Sequence, residues 1–267
     1  NNNIVKESTI DTAVARVLRT KFKIGLFEKP FVDTTAIDDK IHTEQHIKLS
    51  KKVADESLVL LKNENDLLPL GDDIKSVALI GPNADQVQFG DYTWSRKNKY
   101  GLTVREGLEQ LKGNKLKVNY AKGCDMISLD KSGIPEAVQK AKNSDVAIVC
   151  IGTASASLAR DYSNSTSGEG FDLSDTDPTG VQRELVQQVY RTGTPTIVVL
   201  IQGKPFSIPW MKENVPAILE VWYPGEQGGL SIAETLFGKV NPSGRLPISF
   251  PKSVGHLPCY YNYLPTD

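Results

Sequence analysis

Val146-Ala147-Ile148-Val149-Cys150-Ile151 is apolar at every position. A run this short, without the spacing of an amphipathic helix, reads as a strand buried on both faces. Ser76-Val77-Ala78-Leu79-Ile80 and Thr196-Ile197-Val198-Val199-Leu200-Ile201 repeat the pattern, and Ala217-Ile218-Leu219-Glu220-Val221-Trp222 and the shorter Lys117-Val118-Asn119-Tyr120-Ala121 add two more candidates. Between them lie segments of helical periodicity, at residues 104–111, 134–141, 182–191 and 229–237. Strands covered on both faces and alternating with helices require helices on each side of a parallel sheet. The fold class is therefore α/β, a three-layer α/β/α sandwich with a mainly parallel sheet of about six strands. Sheets of this kind bind ligands beyond the carboxyl ends of their strands. That rule singles out the loops 81–95, 152–178, 202–206 and 223–227.

Upstream the pattern changes. Ser8 or Thr9 can cap a helix carrying Ile10, Val14, Val17, Leu18 and Phe22 on one face, which Gly25 ends. Residues 28–40, with Pro30 and Asp33-Thr34-Thr35, read as an extended linker, and a second helix is expected from 43 to about 62. The expected division is 1–42, a linker helix and connection, and 43–267, the sandwich. The lone helix is expected to bury its apolar face against something outside the chain, whose first residues read as the interior of a larger protein.

The chain has 267 residues, 39% hydrophobic and 24% charged, with a formal net charge of -1. That balance provides no field to gather nucleic acid or anionic lipid. No apolar run reaches the roughly 18 residues a membrane helix needs, and Asn1-Asn2-Asn3-Ile4-Val5-Lys6 lacks the apolar core of a signal peptide. Nucleic acid and membrane are thus not expected partners. Cys124, Cys150 and Cys259 are an odd set, with Cys150 a core residue of its strand. His42 and His46 have a ligand-like spacing without a third ligand, so no metal site is expected. Gly81-Pro82-Asn83 lacks the glycine pattern of a nucleotide turn, and no cofactor is expected.

The loop 152–178 carries the candidate chemistry. About 25 residues without periodicity inside a compact domain are usually functional or disordered. It holds Arg160, Asp161, Glu169, Asp172, Asp175 and Asp177, and Ser167-Gly168-Glu169-Gly170 puts a carboxylate between glycines, where the backbone can turn and a ligand can approach closely. Glu169 is a candidate general acid, and a solvated acidic loop is the plainer alternative. Arg160 and Asp161 are candidate substrate-binding side chains. In Gly90-Asp91-Tyr92-Thr93-Trp94, Tyr92 or Trp94 could stack on a sugar, or pack in the core or against another domain. No second carboxylate stands out as a nucleophile; Asp85 and Asp91 are merely nearby in the predicted topology.

Several runs resemble glycoside hydrolase family 3: Ile10-Asp11 through Gly25-Leu26-Phe27, Ala54-Asp55-Glu56-Ser57-Leu58-Val59-Leu60-Leu61-Lys62-Asn63 with Leu68-Pro69-Leu70, Ala78-Leu79-Ile80-Gly81-Pro82-Asn83-Ala84, and Asn241-Pro242-Ser243-Gly244-Arg245-Leu246-Pro247. The resemblance implies the C-terminal (α/β)6-sandwich of a retaining β-glycosidase, a β-glucosidase or β-xylosidase, whose partner is an N-terminal (β/α)8 barrel holding an Asp nucleophile. It implies Glu169 as acid/base and Tyr92, then Trp94, as the aromatic beside the sugar. It also implies a β-linked oligosaccharide or glycoside as substrate and a periplasmic or secreted setting. On this reading residues 1–42 are the end of the barrel and the interdomain linker, the barrel and its nucleophile lie outside the chain, and the chain alone is inactive. A non-catalytic carbohydrate-binding or interaction module is the alternative.

Overall fold

The computed structural model describes residues 4–90, 92–93, 100–155 and 165–262. The chain divides into two units, Asn1–His46 and Ile47–Asp267.

In the first unit, α1 spans Glu7–Lys23. The residue before it is Lys6, which makes no side-chain cap, so the expected Ser8 or Thr9 cap is corrected: both lie inside the first turn. Glu7 there instead sets a negative charge against the positive end of the helix dipole. Gly25 closes the helix as expected, in the left-handed region at φ 68°, with Leu26 N–H donating to Lys21 O at 3.0 Å. The connection is less extended than its composition suggests. Asp33 accepts the backbone N–H of Thr35 and opens a 3-10 turn, Thr34–Ala36, which runs into the short α2, Ile37–Lys40.

The helix α3 covers Glu44–Ser57. It is followed by β1, Val59–Asn63, whereas the periodicity suggests one helix through this whole stretch. The reason is tertiary. Leu58 and Leu61 fit a helical stripe, but the backbone beyond Leu58 finds an unpaired sheet edge and joins it. The remaining strands are β2 Ser76–Ile80, β3 Lys117–Ala121, β4 Val146–Gly152, β5 Thr196–Ile201 and β6 Ala217–Glu220. They form a 6-stranded sheet in the order β1-β6-β5-β4-β2-β3. All neighbours run parallel except β1, which pairs antiparallel with β6 from Val59 opposite Glu220 to Asn63 opposite Ala217.

The helices are α4 Val104–Lys112, α5 Ile134–Lys142, α6 Gln182–Tyr190, α7 Pro209–Asn214 and α8 Gly228–Leu236. Of these five, α7 alone has no counterpart in the sequence reading; at six residues it is too short to show a period. Alternate strand residues serve opposite faces. Leu79, Ile148, Cys150 and Val199 pack with Leu108 of α4 and Ile232 of α8, while Ile80, Val149, Ile151 and Leu200 pack with Ala137 of α5 and Leu185 of α6. Every residue of β4 is buried. The three-layer α/β/α sandwich is thus observed, and the all-apolar strands are those that need two covers. Burial raises the thiol pKa of Cys124 to about 12 and that of Cys150 higher still, so both are inert core residues.

Candidate functional site

The topology selects one place on the sheet. From β2 the chain moves to β3 on one side, then returns to β4 on the other. The connections leaving the carboxyl ends of β2 and β4 therefore diverge, opening the kind of crevice in which parallel sheets hold ligands. Of the four loops singled out, the two that carry the candidate side chains start here, one after Ile80 and one after Gly152.

The second loop is built from its ends inward. Thr153, Ser155, Ser165, Thr166 and Ser167 are all buried. Ser155 and Ser167 form a parallel bridge, Thr166 N–H and Ser167 N–H donate to Ala154 O at 3.0 and 3.2 Å, and Ala154 N–H donates to Thr166 Oγ1 at 3.0 Å. The returning limb is thus fastened along the extension of β4. Beyond Ser167 the chain turns into solvent. Gly168 at φ 115° and Gly170 at φ 78° occupy backbone regions that favour glycine, and Phe171 N–H closes the turn on Gly168 O at 3.1 Å. Glu169, at the tip, is exposed. From the loop after β5, Lys204 Nζ donates to Phe171 O and holds the far side of the turn.

The hydroxyl of Tyr92, from the loop after β2, donates to Glu169 Oε2. Two residues that stand 77 apart in sequence meet at the switch point. Tyr92 is 77% exposed and sits at φ 64°, so it is not a core ring. Left-handed backbone in a bulky aromatic residue costs energy and is concentrated at functional positions. Trp94, Arg160 and Asp161 lie outside the described residues, as does Asp91.

The other acidic candidates serve the fold. Asp175 accepts the backbone N–H groups of Thr176 and Asp177 at 2.6 and 3.0 Å, and Asp177 pairs with Arg183. Asp85 accepts the Thr103 hydroxyl at 3.0 Å and pairs with Arg105 at 3.3 Å. Asp172 is exposed. A depression of about 640 Å³ is lined by residues that include Lys131, Asp177, Arg183 and Glu184 but neither Glu169 nor Tyr92. Four of its charges are paired with each other, Lys131 with Glu184 at 2.7 Å and Arg183 with Asp177. Geometry favours the switch point over this hollow.

Buried side chains brace the strand ends, and single-sequence reading missed them. Asn83 Nδ2 donates to Ile201 O at 3.0 Å and ties the loop after β2 to the end of β5. Gln182 accepts Gly152 N–H at 2.8 Å and donates to Gly152 O and Met126 O, both at 3.0 Å. Glu220 is fully buried at the end of β6, where its two oxygens accept from Gln202 Nε2 at 2.6 Å and Trp222 N–H at 3.0 Å. Burial pushes its pKa up to about 8, against the smaller lowering effect of those bonds. Trp222 lies beyond the strand rather than in it, at φ 53°. The signal that could have found these residues was a polar side chain beside an all-apolar run, where a partner is obligatory.

A mostly parallel sheet covered by helices on both faces defines an α/β sandwich. Residues 58–267 match the family described as Glycosyl hydrolase family 3 C-terminal domain. A β-xylosidase from Formosa agariphila is 44% identical over 261 residues, covering 94% of this chain and 35% of its own length. A periplasmic β-glucosidase from Salmonella typhimurium is 34% identical over 289 residues, covering 98% of this chain and 36% of its own length. The structure of a β-glucosidase from Erythrobacter marinus superposes with a TM-score of 0.83 at 36% identity, covering 97% of this chain and 37% of that one. That of a β-glucosidase from Listeria innocua in complex with isofagomine gives 0.84 at 29% identity, covering 97% and 35%. The chain belongs to glycosyl hydrolase family 3, as its C-terminal domain. It spans about a third of the length of the curated relatives it matches.

Proposed function

We propose that this chain is the acid/base half of a retaining β-glycosidase that hydrolyses terminal β-D-glucosyl or β-D-xylosyl residues. The meeting of Glu169 and Tyr92 over the switch point carries the reading. In the first step Glu169, protonated, donates to the departing glycosidic oxygen. In the second, as the carboxylate, it removes a proton from the water that attacks the glycosyl-enzyme intermediate. The Asp nucleophile of that intermediate belongs to an N-terminal (β/α)8 barrel in the same polypeptide, as the family likeness implies. Residues 1–42 are then the end of that barrel and its linker, and 43–267 the sandwich. Without the nucleophile the chain forms no covalent intermediate and completes no turnover on its own. Its relatives support both sugars: one is a β-xylosidase and another a periplasmic β-glucosidase. The second supports a periplasmic or secreted setting.

Tyr92 has two tasks in this scheme. Its hydroxyl aims the Glu169 carboxylate, and its exposed ring offers an apolar face to the sugar. Trp94, Arg160 and Asp161 are proposed as further sugar contacts on the same loops.

Glu169→Gln in the full-length enzyme tests the assignment, because an amide cannot donate the proton. Turnover of glycosides with poor leaving groups should fall by about 10²–10⁴-fold. Activated aryl glycosides, which leave with little protonation, should lose far less in the glycosylation step. Unchanged rates on both would remove the catalytic role and leave a carbohydrate-binding or interaction module.

A further inference from the structure

Ser167 is the last buried residue before the turn that carries Glu169, so what fastens Ser167 fixes where that turn starts. Ser167 Oγ lies 2.5 Å from the hydroxyl of Tyr223, which reaches over from the segment after β6. The same hydroxyl lies 2.5 Å from Thr153 Oγ1 at the end of β4. Thr153 Oγ1 in turn accepts the backbone N–H of Gly203, after β5, at 2.8 Å. The Tyr223 ring lies so close over Gly203 that a Cβ there would come within 2.7 Å of it.

Ser167 Oγ also reaches Ala154 O at 3.3 Å. The three hydroxyls therefore form one chain of hydrogen bonds between Gly203 N–H and Ala154 O. It joins the segments leaving β4, β5 and β6 immediately before the turn. Glu220 supports it from below: its bond to Trp222 N–H holds that residue in the left-handed backbone from which Tyr223 departs.

We propose that Tyr223 is a positioning residue for Glu169, acting through the hydroxyl relay Thr153–Tyr223–Ser167. The proposal rests on the acid/base reading of Glu169. Tyr223→Phe removes the central oxygen and keeps the ring on Gly203. A proton donor displaced by about 1 Å can lose up to about 100-fold in rate. In the full-length enzyme, Tyr223→Phe should lower kcat for poor leaving groups by about tenfold, leave KM near its original value and spare activated aryl glycosides. In the Glu169→Gln background it should have no further effect, because nothing remains to be positioned. A purely structural role would lower activity in both backgrounds alike.

Ser167→Ala breaks the same relay from its other end and should reproduce the loss if Tyr223→Phe folds poorly. An unchanged kcat in the folded hydroxyl-deletion variants, or an equal loss in the Glu169→Gln background, would overturn the proposal. If Glu169→Gln costs turnover and Tyr223→Phe does not, only the positioning role falls. If Glu169→Gln is silent, the acid/base reading falls and the positioning role with it.

Discussion

Glu220 makes this domain sensitive to pH from within. Both of its oxygens accept hydrogen bonds, which favour the carboxylate, yet its complete burial favours the neutral acid more strongly. A carboxyl whose pKa rises on folding, from an ordinary 4.5 to about 8, binds its proton more tightly in the native state. The stability this adds is fully present below about pH 4.5 and is lost as pH climbs through about 8. The loss should amount to a few kcal/mol, since each tenfold gain in proton affinity is worth about 1.4 kcal/mol. Glu220→Gln should flatten this slope, although an amide offers one acceptor where the site uses two and so costs about 1–3 kcal/mol at low pH. Denaturant unfolding at several pH values, in both proteins, would show it; an identical slope would mean that Glu220 is charged in the fold. At this scale the sequence marks Glu169 as a candidate by its flanking glycines, whereas nothing local marks Tyr223, because its partners Thr153 and Ser167 stand 70 and 56 residues away in the chain.

Among the elements, α4 and α8 meet backbone to backbone. A Cβ on Gly107 of α4 would lie 2.2 Å from Gly229 O, and a Cβ on Gly229 of α8 would lie 2.0 Å from Thr103 O. These are backbone atoms that no rotamer change can move aside. Thr103 is also the cap of α4: it accepts Glu106 N–H at 3.1 Å while Glu106 Oε2 accepts Thr103 N–H at 2.8 Å. Gly107→Ala must push the helices apart, and overpacking of this kind costs about 1–3 kcal/mol. A drop in thermal midpoint on that substitution would bear the contact out, and an unchanged midpoint would show that the helices slide freely. Helix-forming preference predicts the opposite sign, since alanine favours a helix over glycine by about 1 kcal/mol. The strands β2, β4 and β5 and the helices between them were readable because apolar runs and helical periods are local. The edge strand β1 was not, because Val59-Leu60-Leu61 satisfies a helical stripe as well as a strand. What decides between them is the free edge of β6, supplied from more than 150 residues further along the chain.

Across the whole molecule, apolar surface is distributed unevenly. In the first unit, α1 exposes Ile10, Val14, Val17 and Phe22 at 47% or more each, the spacing of a face made to be covered. Exposed apolar surface that is contiguous along a helix usually marks an interaction site. The matched relatives have about two thirds of their length outside the region shared with this chain, and the proposed function assigns that length to a barrel. A polypeptide of these 267 residues alone should associate through α1 as concentration rises. The helix also carries Arg16, Arg19, Lys21 and Lys23 against Glu7 and Asp11, so two copies repel one another electrostatically. Salt screens that repulsion and leaves apolar attraction in place, with a Debye length of about 3 Å at 1 M against about 10 Å at 0.1 M. Association should therefore strengthen with salt, the reverse of what ion pairing would give. Val17→Lys with Phe22→Lys should abolish it without lowering the stability of the sheet unit. Light scattering over a concentration series at two salt levels reads both effects, and a monomer at every concentration and salt would show that this face has no affinity for its own kind.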